Sequence, residues 1–171
     1  MTRAFTLIEM LVAVAIVGVL LAIAVPTVSG MRARAHATQC LSNLKHLGVA
    51  LQAYLAEHNQ QMPVLEAGRT SSGENVATID NTLDGYVDDP AVFACPADPE
   101  LAKLTGTSYY WNVAMNGQST TSLNFLKIFG AKSSIPVMSD KEGWHKHRDR
   151  KVNILYADGH ATKELQLFAS P

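Results

Sequence analysis

The sequence predicts an α+β protein in which one long N-terminal helix packs its outer half on a small antiparallel sheet. Three observations lead there. Residues 10–28 (MLVAVAIVGVLLAIAVPTV) contain no charge. Cys40, Leu44, Leu47, Leu51, Tyr54 and His58 then recur at steps of four and three, which is one helix face. The C-terminal third carries short strand-like runs, clearest at Val152-Asn153-Ile154-Leu155-Tyr156-Ala157, and Asp158-Gly159 after it is a hairpin turn signal.

The uncharged run comes first. Its nineteen residues make a helix of about 28 Å, close to the hydrocarbon thickness of a bilayer. Leu and Ala favour helix, and in lipid the Val and Ile residues are acceptable too, because the backbone must satisfy itself there. Pro26 removes one helical hydrogen bond and is expected to bend or loosen the far end. A secretory signal peptide would use Arg3 and the small residues around Ala22-Ile23-Ala24, whereas a plain anchor needs only the run itself. Glu9 is an acid at the edge of the run for which neither of these has a use. A carboxylate facing hydrocarbon is costly and marks function, with a partner to be named.

Residues Ala4-Phe5-Thr6-Leu7-Ile8-Glu9-Met10-Leu11-Val12 resemble the prepilin processing motif of type IV pilin-like proteins. In that family a short basic leader ends in Gly before Phe-Thr-Leu-Ile-Glu; here Ala4 stands at the Gly position. The resemblance implies cleavage between Ala4 and Phe5 by a prepilin peptidase and methylation of the new amine at Phe5. It also implies that Glu9 meets the amine of a neighbouring subunit and fixes the stagger between helices, since an unpaired charge in an apolar core costs several kcal/mol. Pro26 falls where such helices often carry a proline. The implied organisation is a leader at 1–4, a membrane and filament-core helix at 5–29, an amphipathic continuation at 30–60 and a globular head at 61–171. Arg32 and Arg34 outnumber Arg3 across the run, which by charge alone favours a cytoplasmic head. The resemblance implies the reverse and is the more specific signal: a single pass through the inner (cytoplasmic) membrane, head outside the cytoplasm.

Beyond Gly30 the helix turns amphipathic, with Leu41 and Leu55 flanking the stripe and Arg34, Thr38, Gln39, Lys45, Gln52 and Glu57 opposite; it should end near His58-Asn59. Residues 64–95 show little periodicity: 68–73 read as a loop and Asp84-Gly85 as a turn. Ser134-Ile135-Pro136-Val137-Met138-Ser139-Asp140 reads as a strand whose proline places it at an edge. His160 to Phe168 would return as the second arm of the hairpin. Three short motifs resemble one branch of the pilin-like proteins: Cys40-Leu41-Ser42-Asn43-Leu44-Lys45 with Phe93-Ala94-Cys95-Pro96, Ser108-Tyr109-Tyr110-Trp111-Asn112, and Asp158-Gly159-His160. That branch places nine residues between a histidine and Asp-Gly-His; here ten residues lie between His147 and Asp158.

Cys40 and Cys95 form no CxxC pair, which argues against zinc or thioredoxin-like chemistry. If the head is exported, a disulfide between them is reasonable and would add about 4 kcal/mol on the chain-entropy model; otherwise they are two unrelated buried thiols. His145 and His147, with His160 and Asp140 or Asp158, supply metal-ligand types, but Lys146, Arg148, Arg150 and Lys151 oppose a divalent ion and favour a solvated basic loop. Asp84, Asp88 and Asp89 lack EF-hand order, so calcium is a minor expectation and no other cofactor is implied. There is no nucleophile elbow, P-loop, GxGxxG or HExxH, and no enzyme is expected. A net charge of −1 and a pI near 6.6 give no footprint for nucleic acid. The partners implied by the resemblance are further copies of the chain, related pilin-like subunits, prepilin peptidase, an inner-membrane assembly platform and membrane lipid, as in a type II secretion pseudopilin. The competing class is a monomeric, membrane-anchored extracytoplasmic binding module.

Overall fold

The structure is a computed structural model and describes residues 6–98, 100–121, 135–145 and 152–163. Helix α1 (Leu7–Glu57) has 51 residues and is about 77 Å long at 1.5 Å per residue. It runs through Pro26 without a break; the ring supplies no N–H, so the Ala22 carbonyl loses its usual donor. One residue on, Thr27 Oγ1 donates to the Ile23 carbonyl at 3.0 Å.

The helix stops within one residue of the expected place. His58 caps it, Asn59 and Gln60 turn left-handed (φ 53° and 61°), and the Gln60 N–H reaches back to the Leu55 carbonyl at 2.8 Å. That six-to-one bond with Asn in the left-handed position is a Schellman-type ending. The predicted stripe is the buried face: Cys40, Leu44, Leu47 and Leu51 are completely buried, and the six polar residues opposite are exposed. His58 leaves the stripe and lies in solvent, its ring stacked on Tyr54 at 3.8 Å.

The chain from 62 to 107 builds the floor on which the helix rests. Two short helices, α2 (Ile79–Thr82) and α3 (Leu101–Thr105), are joined by single 3-10 turns at Asp84–Tyr86 and Pro90–Phe93. Polar side chains hold these bends. Asp89 accepts from the Ala91 N–H at 2.9 Å with Pro90 behind it, and Asp98 accepts from the Leu101 and Ala102 N–H groups, both at 2.8 Å. Arg69, from the 68–73 loop, pairs with Asp80 beneath Gly106 (φ 86°), where a Cβ would collide with both side chains.

Four antiparallel strands follow in spatial order β1-β2-β3-β4: β1 (Tyr109–Trp111), β2 (Pro136–Asp140), β3 (Ile154–Tyr156) and β4 (Ala161–Thr162). This corrects the edge placement of the proline strand. β2 lies between β1 and β3, and Pro136 is tolerated because it occupies the first strand position, where the register shifts between Pro136 and Met138. The hairpin at Asp158-Gly159 forms as expected. The Gly159 N–H donates to the Tyr156 carbonyl and Gly159 takes φ 89°, a three-residue loop with glycine in the left-handed position. The returning strand is seen over Ala161–Thr162; residues 164–168 lie outside the described residues.

Helix and sheet meet at close range. A Cβ on Gly48 would stand 2.9 Å from the Gly159 carbonyl oxygen, so glycine is what lets the hairpin approach α1. Asn43 Nδ2 donates to the Ala94 carbonyl at 2.9 Å and Gln52 Nε2 to the Ala157 carbonyl at 3.1 Å, fixing the rotation of the helix on the head.

Candidate functional site

Among the described residues, nothing outside α1 packs on its inner half. Fourteen large apolar side chains from Leu7 to Val28 are each at least 45% exposed, and this one stretch is long and apolar enough to cross a membrane. Burying such side chains recovers about 1.5 kcal/mol each, on the order of 20 kcal/mol together, so the segment belongs in lipid or among other helices.

At its edge Thr6 and Glu9 form a capping box. Glu9 Oε2 accepts from the Thr6 N–H at 2.9 Å and from Thr6 Oγ1 at 2.7 Å, while the Glu9 N–H donates to Thr6 Oγ1 at 3.3 Å. The acid therefore has a hydrogen-bond partner inside its own chain. Thr-x-x-Glu is itself a legible capping signal, which the sequence reading passed over. The cleavage pair Ala4 and Phe5 lies outside the described residues.

Residues 1–25 match the family profile described as the prokaryotic N-terminal methylation motif. In that N-terminal segment the chain is type IV pilin-like. It is 40% identical over 58 residues to the type IV major pilin protein PilA of Myxococcus xanthus, a stretch that covers 34% of this chain and 26% of that relative. No solved structure matches the chain. The fold is a long helix protruding from an α+β head with a four-stranded antiparallel sheet.

Where α1 meets the head, Cys40 and Cys95 are bonded, with Cα atoms 4.9 Å apart. The bond ties α1 to the segment just beyond the Pro90–Phe93 turn, and the Cys95 N–H is held by Ser108 Oγ at 2.8 Å. Both cysteines are buried.

Beside the disulfide lies a polar cluster that includes His145, which the sequence placed in a solvated loop. His145 is 1% exposed, not part of a solvated loop; its Nε2 is 3.2 Å from Asp140 Oδ2 and 3.0 Å from Asn153 Nδ2. Asp140 Oδ2 also accepts from the Asn153 N–H at 2.7 Å. Register brings Tyr109 opposite Asp140 across β1 and β2. Burial, reinforced by the Asp140 charge, raises the Tyr109 phenol well above its ordinary range. Tyr109 Oη, Asp140 Oδ1 and His145 Nδ1 have no hydrogen-bond partner among the described residues. His147 lies outside those residues, so the pairing of two histidines in that loop is not described. His160 is instead turned to Asp158, Nδ1 to Oδ1 at 2.5 Å, and stacks on Tyr156. The buried role of His145 had one sequence signal, the adjoining Trp144, which packs against the core.

Proposed function

We propose that this chain is a structural subunit of a pilus-like filament, specifically a type II secretion pseudopilin, and not an enzyme. Prepilin peptidase cuts it between Ala4 and Phe5 and methylates the Phe5 amine. Before assembly the subunit sits in the inner membrane with its head outside the cytoplasm. It then joins copies of itself and related subunits on an inner-membrane platform, with the apolar half of α1 as filament core and Pro26 as the place where the helix bends. Glu9 meets the Phe5 amine of a neighbour and sets the stagger. The carrying observation is the apolar half of α1, exposed among the described residues and carrying the methylation motif, with the described head packed on the other half. The finer placement among pseudopilins is supported by the short motifs at 40–45, 93–96 and 158–160.

Mass spectrometry of the mature chain tests this directly. The expected mass lacks residues 1–4 and carries one added methyl group, and sheared cell surfaces should yield filaments containing it. An intact leader, or an end near Ala24, would remove the basis for assembly.

A second reading has one observation in its favour. The capping box gives Glu9 work to do in a solitary helix, as a monomeric anchored binding module would require. Processed chains that remain monomeric in the membrane under overproduction would support it.

A further inference from the structure

The head keeps a ligand set that the filament reading does not use. His145 Nε2 faces the Asp140 carboxylate at 3.2 Å, yet its Nδ1 has no partner among the described residues although the side chain is 1% exposed. Neither protonation state relieves this: a protonated Nδ1 lacks an acceptor, and an unprotonated one lacks a donor. A buried polar atom left so is costly and calls for an explanation. The same imidazole offers a nitrogen within 4.8 Å of both Cys40 and Cys95 sulfurs, and all three residues are buried. With Nε2 held by the carboxylate, Nδ1 is the atom left to bind.

We propose that when the Cys40–Cys95 bond is open, the head binds one Zn2+ through Cys40 Sγ, Cys95 Sγ and His145 Nδ1. Asp140 serves as the carboxylate that accepts from Nε2–H and orients the ring. Tetrahedral zinc with bonds of about 2.3 Å to sulfur and 2.0–2.1 Å to nitrogen places its ligand atoms about 3.5–3.8 Å apart, inside the span available. A carboxylate behind the imidazole is the arrangement that fixes tautomer and ring orientation in such sites. Two thiolates cancel the ion's charge, as a buried site requires, and a fourth position is left for water. Disulfide and metal exclude each other. Two electrons from a dithiol, itself oxidised to a disulfide, break the Cys40–Cys95 bond; two protons complete the thiols, and both protons leave as the ion binds. The core pin between α1 and the head thus has a covalent form for oxidising surroundings and a metal-bridged form for reducing ones.

The test uses the full chain in detergent micelles, reduced with a phosphine, freed of reductant without oxygen, and titrated with Co2+ as a spectroscopic stand-in for zinc. The reduced chain should bind one equivalent, with tetrahedral ligand-field bands and thiolate-to-cobalt charge transfer, and the oxidised chain none. Asp140→Asn should weaken binding roughly 10–100-fold, the usual effect of losing a carboxylate behind a metal-bound histidine, and His145→Ala by more. Because His145→Ala could disturb packing, His145→Cys is the decisive partner. It should still bind one Co2+, with charge transfer raised by about half because three thiolates replace two. The proposal fails if the reduced chain takes up no Co2+, if the oxidised chain binds it equally, or if folded His145→Ala matches wild type. None of these results bears on filament assembly, so this failure is separable from that of the filament reading.

Discussion

Glu9 has two possible employments, and they separate under substitution. Glu9→Gln keeps an oxygen that accepts from the Thr6 N–H and Oγ1, now at 2.9 and 2.7 Å, so the helix start survives. What it removes is the charge. In an apolar filament core this strands the neighbour's amine, and breaking a buried ion pair by deleting one partner costs about 3–5 kcal/mol. At about 1.4 kcal/mol per factor of ten, incorporation should fall by roughly two to three and a half powers of ten. Thr6→Ala does the opposite: it loses the cap, worth about 1 kcal/mol, and keeps the anion. Co-expression of each tagged variant with wild type, shearing, and quantification of the tag in filaments against the tag in membranes reads both effects. Thr6→Ala should enter filaments at near wild-type ratio and Glu9→Gln should be almost excluded. If Glu9→Gln incorporates normally while Thr6→Ala is lost, Glu9 is a helix cap and the charge-register argument is wrong.

Other consequences are as specific. Cys40→Ser should lower unfolding free energy by about 4 kcal/mol, the value for a cross-link spanning 55 residues; equal denaturation midpoints for variant and wild type under oxidising conditions would contradict it. Gly48→Ala gives a sign test, since helix propensity alone predicts about 1 kcal/mol of stabilisation. The contact of 2.9 Å with the Gly159 carbonyl predicts destabilisation of about 1–3 kcal/mol instead, or about 2–12 °C in Tm. A raised Tm would mean that the hairpin yields freely. Because the Tyr109 phenol is pushed upward, the folded state keeps a proton that the unfolded chain releases above about pH 10. That stability is fully present below pH 10 and lost as pH rises, by up to about 1.4 kcal/mol per unit. Tyr109→Phe should flatten the fall in urea midpoint between about pH 9 and pH 11; an unchanged slope would place the alkaline loss elsewhere.

The disulfide also fastens α1 to a head of short strands. Its sheet strands are two to five residues long, and α1 lends it one face only. A cross-link at Cys40 and hydrogen bonds from Asn43 and Gln52 fasten that face at three heights along the helix. A subunit pulled by its helix would load these points first.

What the sequence determined by itself was local. Nineteen uncharged residues, a stripe at steps of three and four, and Asp158-Gly159 act through spacing that neighbours in the chain impose, and all three describe the molecule. The end of α1 was legible for the same reason. Placement across the sheet was not. Pro136 signals an edge because it lacks a donor, but strand order is set by which faces pack, and β2 became an interior strand with the proline at its first position. The basic run after Trp144 signals solvent, yet one residue of it was drawn inward. Only the packing of the sheet on α1 brings Asp140, Asn153 and the two sulfurs around His145. Charge density along a chain is an average over neighbours, whereas burial is decided residue by residue in three dimensions.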